Sequence, residues 1–166
     1  MPQPVHDWDA ETTNPLVAEQ LSYPPQEQHE RLDEVLPTLN QEQRAAYDAV
    51  LHSMENDIAK LFFLNGPGGT CKTYVYNTIC YKLRSEHMIV LVVASSGIAA
   101  LLIVGGRTAH STFKIPINLT AESLCNIPKN SQQAELLQRT NLIIWDEARM
   151  QHRHAIEALD KTMHDI

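Results

Sequence analysis

Residues 60–85 read KLFFLNGPGGTCKTYVYNTICYKLRS, and the reading of this stretch decides the fold. The apolar run Leu61, Phe62, Phe63, Leu64 predicts a buried strand. A glycine-rich turn follows, Gly66-Pro67-Gly68-Gly69-Thr70, then Cys71-Lys72-Thr73 and a segment patterned as a helix to about residue 85. Strand, glycine loop, lysine, hydroxyl and helix in that order form the context of a phosphate-binding loop. In such a loop the backbone N–H groups and the helix N-terminus face phosphate oxygens. The lysine reaches the terminal phosphates and the hydroxyl holds a magnesium ion. One residue departs from the pattern G-x-x-x-x-G-K-[ST]: Cys71 stands where glycine is expected.

Upstream of the loop, Asn40 is a good helix N-cap and Gln43 occupies the third helical position of a capping box. Ala46, Ala49, Val50 and Met54 then recur at helical spacing across residues 44–55. Residues 1–37 hold six of the nine prolines and many Glu, Gln and Asp. They read as a flanking segment, partly irregular, in which 15–21 fits a short helix and 26–36 an amphipathic turn or two.

Downstream, residues 88–94 (MIVLVVA) are continuously aliphatic, as expected of a parallel strand covered on both faces. Ser95-Ser96-Gly97 breaks that run, and 98–104 predicts a short apolar helix with Ile98, Ala99, Leu101 and Leu102 packed inside. Gly105-Gly106 ends the helix. Residues 107–117 form a short helix or loop, 118–131 are loop-rich, and 132–139 read as helix. A third buried strand, 141–145, is tipped by Asp146-Glu147, and 150–166 predicts a helix with Ile156, Leu159 and Met163 on one face. His152, His154 and His164 fit its solvated side. Strands alternating with helices give an α/β class with a parallel sheet.

Size and composition are compatible with this. A chain of 166 residues supports one domain with a real core, and 43% hydrophobic with 20% charged residues is ordinary for a globular protein. No apolar run approaches the roughly 20 residues of a membrane span. The opening MPQPVHDWDAE has neither the basic nor the apolar region of a signal peptide. Cys71, Cys80 and Cys125 are odd in number and lack metal-type spacing, which fits a reducing, intracellular setting. The net charge of −7 argues against binding nucleic acid through bulk charge and leaves room for a short local contact surface.

Asp146 and Glu147 sit at the carboxyl end of a predicted buried strand, where parallel sheets bind ligands. In a nucleotide hydrolase the first acid anchors Mg²⁺ through water and the second polarises the attacking water. A strand end entering a helix also favours acids for dipole reasons. Together with the loop, the pair reads as hydrolytic machinery, and the second acid points to hydrolysis coupled to mechanical work rather than to a small-molecule kinase.

Four segments occur in order: LNQEQRAAYDAV, FFLNGPGGTCKTYVYNTI, VVASSGIAALLIVGGRTAHSTFKIPI and LIIWDEARM. Together they resemble the petite-integration-frequency (Pif) family of ATP-dependent DNA helicases, with closest likeness to the helicase segments of rolling-circle (Helitron) transposons. The resemblance covers residues 36 to 166. It implies an incomplete RecA-like P-loop NTPase domain: residues 1–37 as flank and 38–166 as a truncated first motor domain. It implies ATP and Mg²⁺ as cofactors, single-stranded DNA and DNA junctions as partners, and 5′-to-3′ unwinding in repair, recombination and telomere maintenance. The implied location is nucleus or mitochondrion. By the same resemblance Gln43 matches the adenine-reading glutamine, as well as being a cap. Gly66, Gly68, Gly69, Thr70, Cys71, Lys72 and Thr73 match the phosphate loop, with Thr73 and Asp146 toward the metal and Lys72 and Glu147 catalytic. Ser95, Ser96, Gly97, Arg107, His110 and Lys114 match the single-strand-contacting region. There a Ser-Ser-Gly turn offers donors to phosphates, and Phe113 is either core or a stacking face. A silent ATP- or DNA-binding remnant of a transposon helicase is the alternative; a phosphate-loop ATPase unrelated to DNA is disfavoured by SSGIAA and GGRTAHSTF.

Three departures from the family carry expectations. Arg149 replaces the usual proline after Asp-Glu-Ala, at a helix start where proline is favoured but not required. The family continues with a strand that lies between the loop-bearing strand and the Asp-Glu strand, then with a second motor domain. Residues 61–64 and 142–145 are therefore expected to lack their shared partner, and the chain alone to be a marginally folded, truncated product. Cys71, finally, puts a side chain at a position where glycine lets backbone approach phosphate, at a strain of about 1–3 kcal/mol. A thiol beside Lys72 and a helix N-terminus also ionises readily, and a thiolate repels ATP. Cys71→Gly is accordingly expected to bind ATP more tightly than the natural chain in a calorimetric titration; equal affinities would remove the argument.

Overall fold

The computed structural model describes residues 14–56, 58–66 and 72–166. The chain folds as α1 (Pro15–Leu21), α2 (Pro25–Val35), α3 (Gln41–Glu55), α4 (Lys72–Ser85), β1 (Val90–Ala94), α5 (Gly97–Leu101), β2 (Arg107–Thr108), α6 (Ala109–Phe113), α7 (Gln132–Gln138), β3 (Leu142–Asp146) and α8 (Arg153–Asp165). Among the described residues the sheet has three parallel strands in the order β2-β1-β3. No described helix is long and apolar enough to cross a membrane.

The continuous aliphatic run at β1 becomes the central strand because it is the one buried on both faces over its whole length. Its side chains alternate between two cores. Leu91 and Val93, with Ile143 and Trp145 of β3, pack against α1, α6, α7 and α8; Val90 and Val92, with Leu142 and Ile144, pack against α2, α3 and α4. Asn141 sets the register of the β1–β3 pair. Its amide N–H donates to the Ile89 carbonyl at 2.9 Å, and its Oδ1 accepts from the Ile89 N–H at 2.9 Å. From there Val90 lies opposite Leu142 and Ala94 opposite Asp146.

Local chemistry explains most helix ends. Asn40 and Gln43 form the full capping box of α3, with Asn40 Oδ1 accepting from the Gln43 N–H at 2.9 Å and Gln43 Oε1 from the Asn40 N–H at 3.0 Å. Proline opens both α1 and α2, where its missing N–H has no partner to lose. The described part of the flank, 14–37, is thus mostly helical and packed. Asn14, 1% exposed, caps α1 with Oδ1 and sends Nδ2 to the Gln132 carbonyl and to Glu135 on α7. The Tyr23 ring covers the buried Arg84 guanidinium at 4.0 Å, and Arg84 Nη1 donates to the Val104 carbonyl. Gly105 lies beneath that pair at φ 73°, where a Cβ would sit 2.3 Å from the Tyr23 hydroxyl.

Three expectations are corrected. Residues 58–66 are irregular, not a strand, with Leu61 fully exposed and Phe63 63% exposed. An apolar run is a strand only where a neighbour offers a ladder; β1 already has β2 and β3 on its two edges, and the outer edge of β3 is not met by this segment. On α5 the buried residues are Ala99 and Ala100, joined by Ile103, while Ile98, Leu101 and Leu102 are 80, 86 and 66% exposed. Small side chains let this short helix sit close on the end of β1, so its larger residues turn outward. On α8 the inward face is Ala155, Ala158, Leu159 and Thr162; Ile156 and Met163 are exposed.

Burial pushes the Cys80 thiol up to about 11 and the Tyr47 phenol to about 12, from ordinary values of 9.0 and 10.0. Both groups are neutral when protonated, so their contribution to stability is fully present below pH 9 and is lost as pH rises through 11 and 12. The melting temperature is therefore expected to fall across that alkaline range. Cys80→Ala should abolish the earlier part of the fall, measured by circular dichroism at each pH; an unchanged profile would contradict the assignment.

Candidate functional site

The three strands end level with one another. Ala94 faces Thr108 on one side and Asp146 on the other, so the segments leaving β1, β2 and β3 all emerge at one carboxyl edge. Ser95-Ser96-Gly97 leads into α5, Thr108 caps α6 through its hydroxyl, and Glu147 follows β3.

Asp146 is 9% exposed at the tip of β3, and its backbone carbonyl accepts from the Ser95 N–H at 3.3 Å. Among the described residues its carboxylate has no hydrogen bond or ion pair. Glu147 turns out of the strand in the left-handed region, φ 53° and ψ 33°, a conformation uncommon for a residue with a side chain. It is held there from the β1 side. Ser95 Oγ donates to the Glu147 carbonyl at 2.8 Å, Trp145 Nε1 donates to Ser95 Oγ at 3.2 Å, and Ser96 Oγ reaches Glu147 Oε2 at 3.5 Å.

Lys72 opens α4 and its Nζ donates to the Gly66 carbonyl at 2.9 Å. Thr73 is half-buried beside it. Gly68, Gly69, Thr70 and Cys71 lie outside the described residues. One turn further along α4, Tyr76 is half-buried, and its phenol is raised first by burial and then by the Asp146 charge. Residues 72, 73 and 76 share a helical face, and α4 turns directly into β1 and packs against it, which carries the start of the helix toward the carboxyl edge of the sheet. Tyr76 carried no motif of its own; its i+4 spacing from Lys72 was the only signal in the sequence.

The remaining candidates divide. Gln43 is half-exposed at the start of α3, where the capping box engages its Oε1 and not its NH₂ group. Gly97 is open: a Cβ added there would meet nothing within 4 Å. Arg107 is half-exposed but ion-paired with Glu19 of α1. His110 is exposed on α6, and Lys114 ends that helix at φ 52°. Phe113 is wholly buried with its ring 5.7 Å from Trp145, which makes it core and not a stacking face. Arg149 lies 4.6 Å over the Phe63 ring, tying the irregular 58–66 segment to the end of β3.

A three-stranded parallel sheet between helices, with α4 opened by Lys72-Thr73 and an acid pair at the tip of β3, is that of part of a RecA-like P-loop NTPase domain. The sequence model of the PIF1-like helicases matches residues 38–166, and the chain belongs to that family. It is 36% identical over 126 residues to the ATP-dependent DNA helicase PIF4 of Trypanosoma brucei brucei, a match covering 74% of this chain and 14% of that protein. It is 34% identical over 106 residues to the ATP-dependent DNA helicase Pif1 of a Psychrobacter species, covering 63% of this chain and 16% of the relative. The chain thus spans only about a seventh of the length of these curated relatives.

Proposed function

We propose that this chain forms part of the first motor domain of an ATP-dependent DNA helicase that couples ATP hydrolysis to 5′-to-3′ movement along single-stranded DNA. The observation that carries the reading is the hydrogen-bonded junction of Asp146-Glu147 with Ser95-Ser96 at the carboxyl edge. In this reading it would join the acids of the hydrolytic step to the turn that, by the family resemblance, meets single strands.

In this reading Lys72 releases Gly66 and neutralises the terminal phosphates, while the first turn of α4 supplies N–H donors. Gln43 presents its NH₂ and carbonyl to the adenine edge. Among the described residues no cluster of three or more His, Cys, Asp or Glu suits a metal. That fits Mg²⁺, which favours one or two protein oxygens together with phosphate oxygens and water. Thr73 and the otherwise unpartnered Asp146 carboxylate would hold it, and it would supply charge neutralisation on the phosphates. Glu147 would orient the attacking water and accept its proton. Gly97, Ser96, Arg107, His110 and Lys114 are the strand-facing candidates, with Arg107 requiring exchange of Glu19 for phosphate. Repair, recombination and telomere maintenance, action at DNA junctions and residence in nucleus or mitochondrion complete the proposal, on the family resemblance. Cys71 favours a second reading, a silent nucleotide- or DNA-binding remnant, because it alters the loop that must approach phosphate.

ATP turnover measured with and without an oligo(dT) strand separates the readings. Stimulated turnover supports the helicase motor, absent turnover supports the remnant, and unstimulated turnover points to an ATPase without a DNA role. In the active case Glu147→Gln is expected to lower kcat by about 10²–10⁴-fold with little change in ATP affinity, whereas Lys72→Ala should weaken ATP binding itself.

A further inference from the structure

The family resemblance places Ser95 with residues that contact single strands, yet the structure gives its hydroxyl another task. A serine hydroxyl has one proton to donate and two lone pairs to accept with. At Ser95 the proton goes to the Glu147 carbonyl at 2.8 Å, and one lone pair receives the Trp145 indole N–H at 3.2 Å. A phosphate oxygen only accepts hydrogen bonds, so it can take the Ser95 proton only by breaking the bond to Glu147. The neighbours Ser96 and Gly97 are exposed, and Gly97 is open to approach, so strand contact is available without Ser95.

The recipient of that proton matters. Glu147 is one of three described non-glycine residues with positive φ, and it directly follows the strand that carries Asp146. A left-handed residue is strained and persists where its surroundings over-determine it. Here those surroundings are the chain Trp145 N–H to Ser95 Oγ–H to Glu147 carbonyl, reinforced where the Ser95 N–H meets the Asp146 carbonyl at 3.3 Å. Linked bonds of this kind strengthen one another. Trp145 is half-buried and packs on the wholly buried Phe113, so one end of the clamp reaches the core while its bond to Glu147 lies at the surface.

We propose that Ser95 is a positioning residue that fixes the left-handed backbone of Glu147, and so the aim of its carboxylate, rather than a contact to the DNA strand. This rests on the reading of Glu147 as the water-orienting acid, and the experiment is arranged so that the two can fail separately. The isotope-labelled full chain and its Ser95→Ala and Ser95→Thr variants are compared by NMR at the Glu147 Cα and carbonyl shifts, which report left-handed backbone. Oligo(dT) affinity and ATP kinetics are measured on the same three proteins.

In Ser95→Ala the Glu147 shifts should leave their left-handed values while signals from the interior of β1 stay in place. Threonine, which keeps the hydroxyl, should restore them. Oligo(dT) affinity should remain within about twofold. Turnover should lose about tenfold in kcat, the size of one neutral hydrogen bond, with KM unchanged. Unmoved Glu147 shifts in Ser95→Ala would overturn the proposal. So would a fall in oligo(dT) affinity with kcat intact, which would make Ser95 a strand contact after all. A wild-type chain that neither binds nor turns over ATP would defeat the helicase reading instead, and the NMR comparison would still decide whether Ser95 holds Glu147.

Discussion

The parallel pairing of β1 with β3 is the constraint on which the rest depends. Five residue pairs, from Val90 opposite Leu142 to Ala94 opposite Asp146, fix where each strand ends. Asn141 holds the starting point by using its backbone and its side chain on the two polar groups of Ile89. A slip of one residue would turn every side chain of β3 to the opposite face. It would move Ile144 out of one core and Trp145 out of the other, and would carry Asp146 and Glu147 away from Ser95. Stability and site geometry therefore hang on the same register.

The helices convert that register into a site. With β1 buried on both faces, α4 packs on one side and α6, α7 and α8 on the other. α4 turns into β1 and packs against it, which carries its start toward the carboxyl edge, and burial there raises the Tyr76 phenol. The opposite layer contributes Phe113 beneath Trp145, and Trp145 in turn supports Ser95. The acid pair is thus supported from the core through Trp145 and Ser95. The PIF1-like family model matches residues 38–166, and within that span the strand ends bring the acid pair beside Ser95 and Ser96.

What was legible beforehand was local. Asn40 and Gln43 announced their capping box because both partners lie within one turn. The helix from Lys72 to Ser85 and the two aliphatic strands were visible because periodicity and side-chain shape act over a few residues. Residues 61–64 misled for the opposite reason, since their apolar character says nothing about whether an unpaired edge will meet them. Ile98, Leu101 and Leu102 misled likewise: close packing of α5 selected its alanines, a preference for small volume that hydrophobicity does not encode. In the flank the short helix expected over 15–21 is α1, and the turn or two expected over 26–36 is the longer helix α2, each opened by a proline.

The sequence by itself determined the glycine loop with its Lys72-Thr73 ending, the acid pair, the odd Cys71, and the motif order that marks the family. Those are matters of residue identity and spacing. Only the tertiary structure decided that Ser95 gives its proton to Glu147, that Arg107 is matched with Glu19, and that Phe113 lies under Trp145. Each of those pairs joins residues far apart along the chain. A hydroxyl has a single proton and a guanidinium a single charge, and which neighbour receives them is settled by what the folded chain brings within reach.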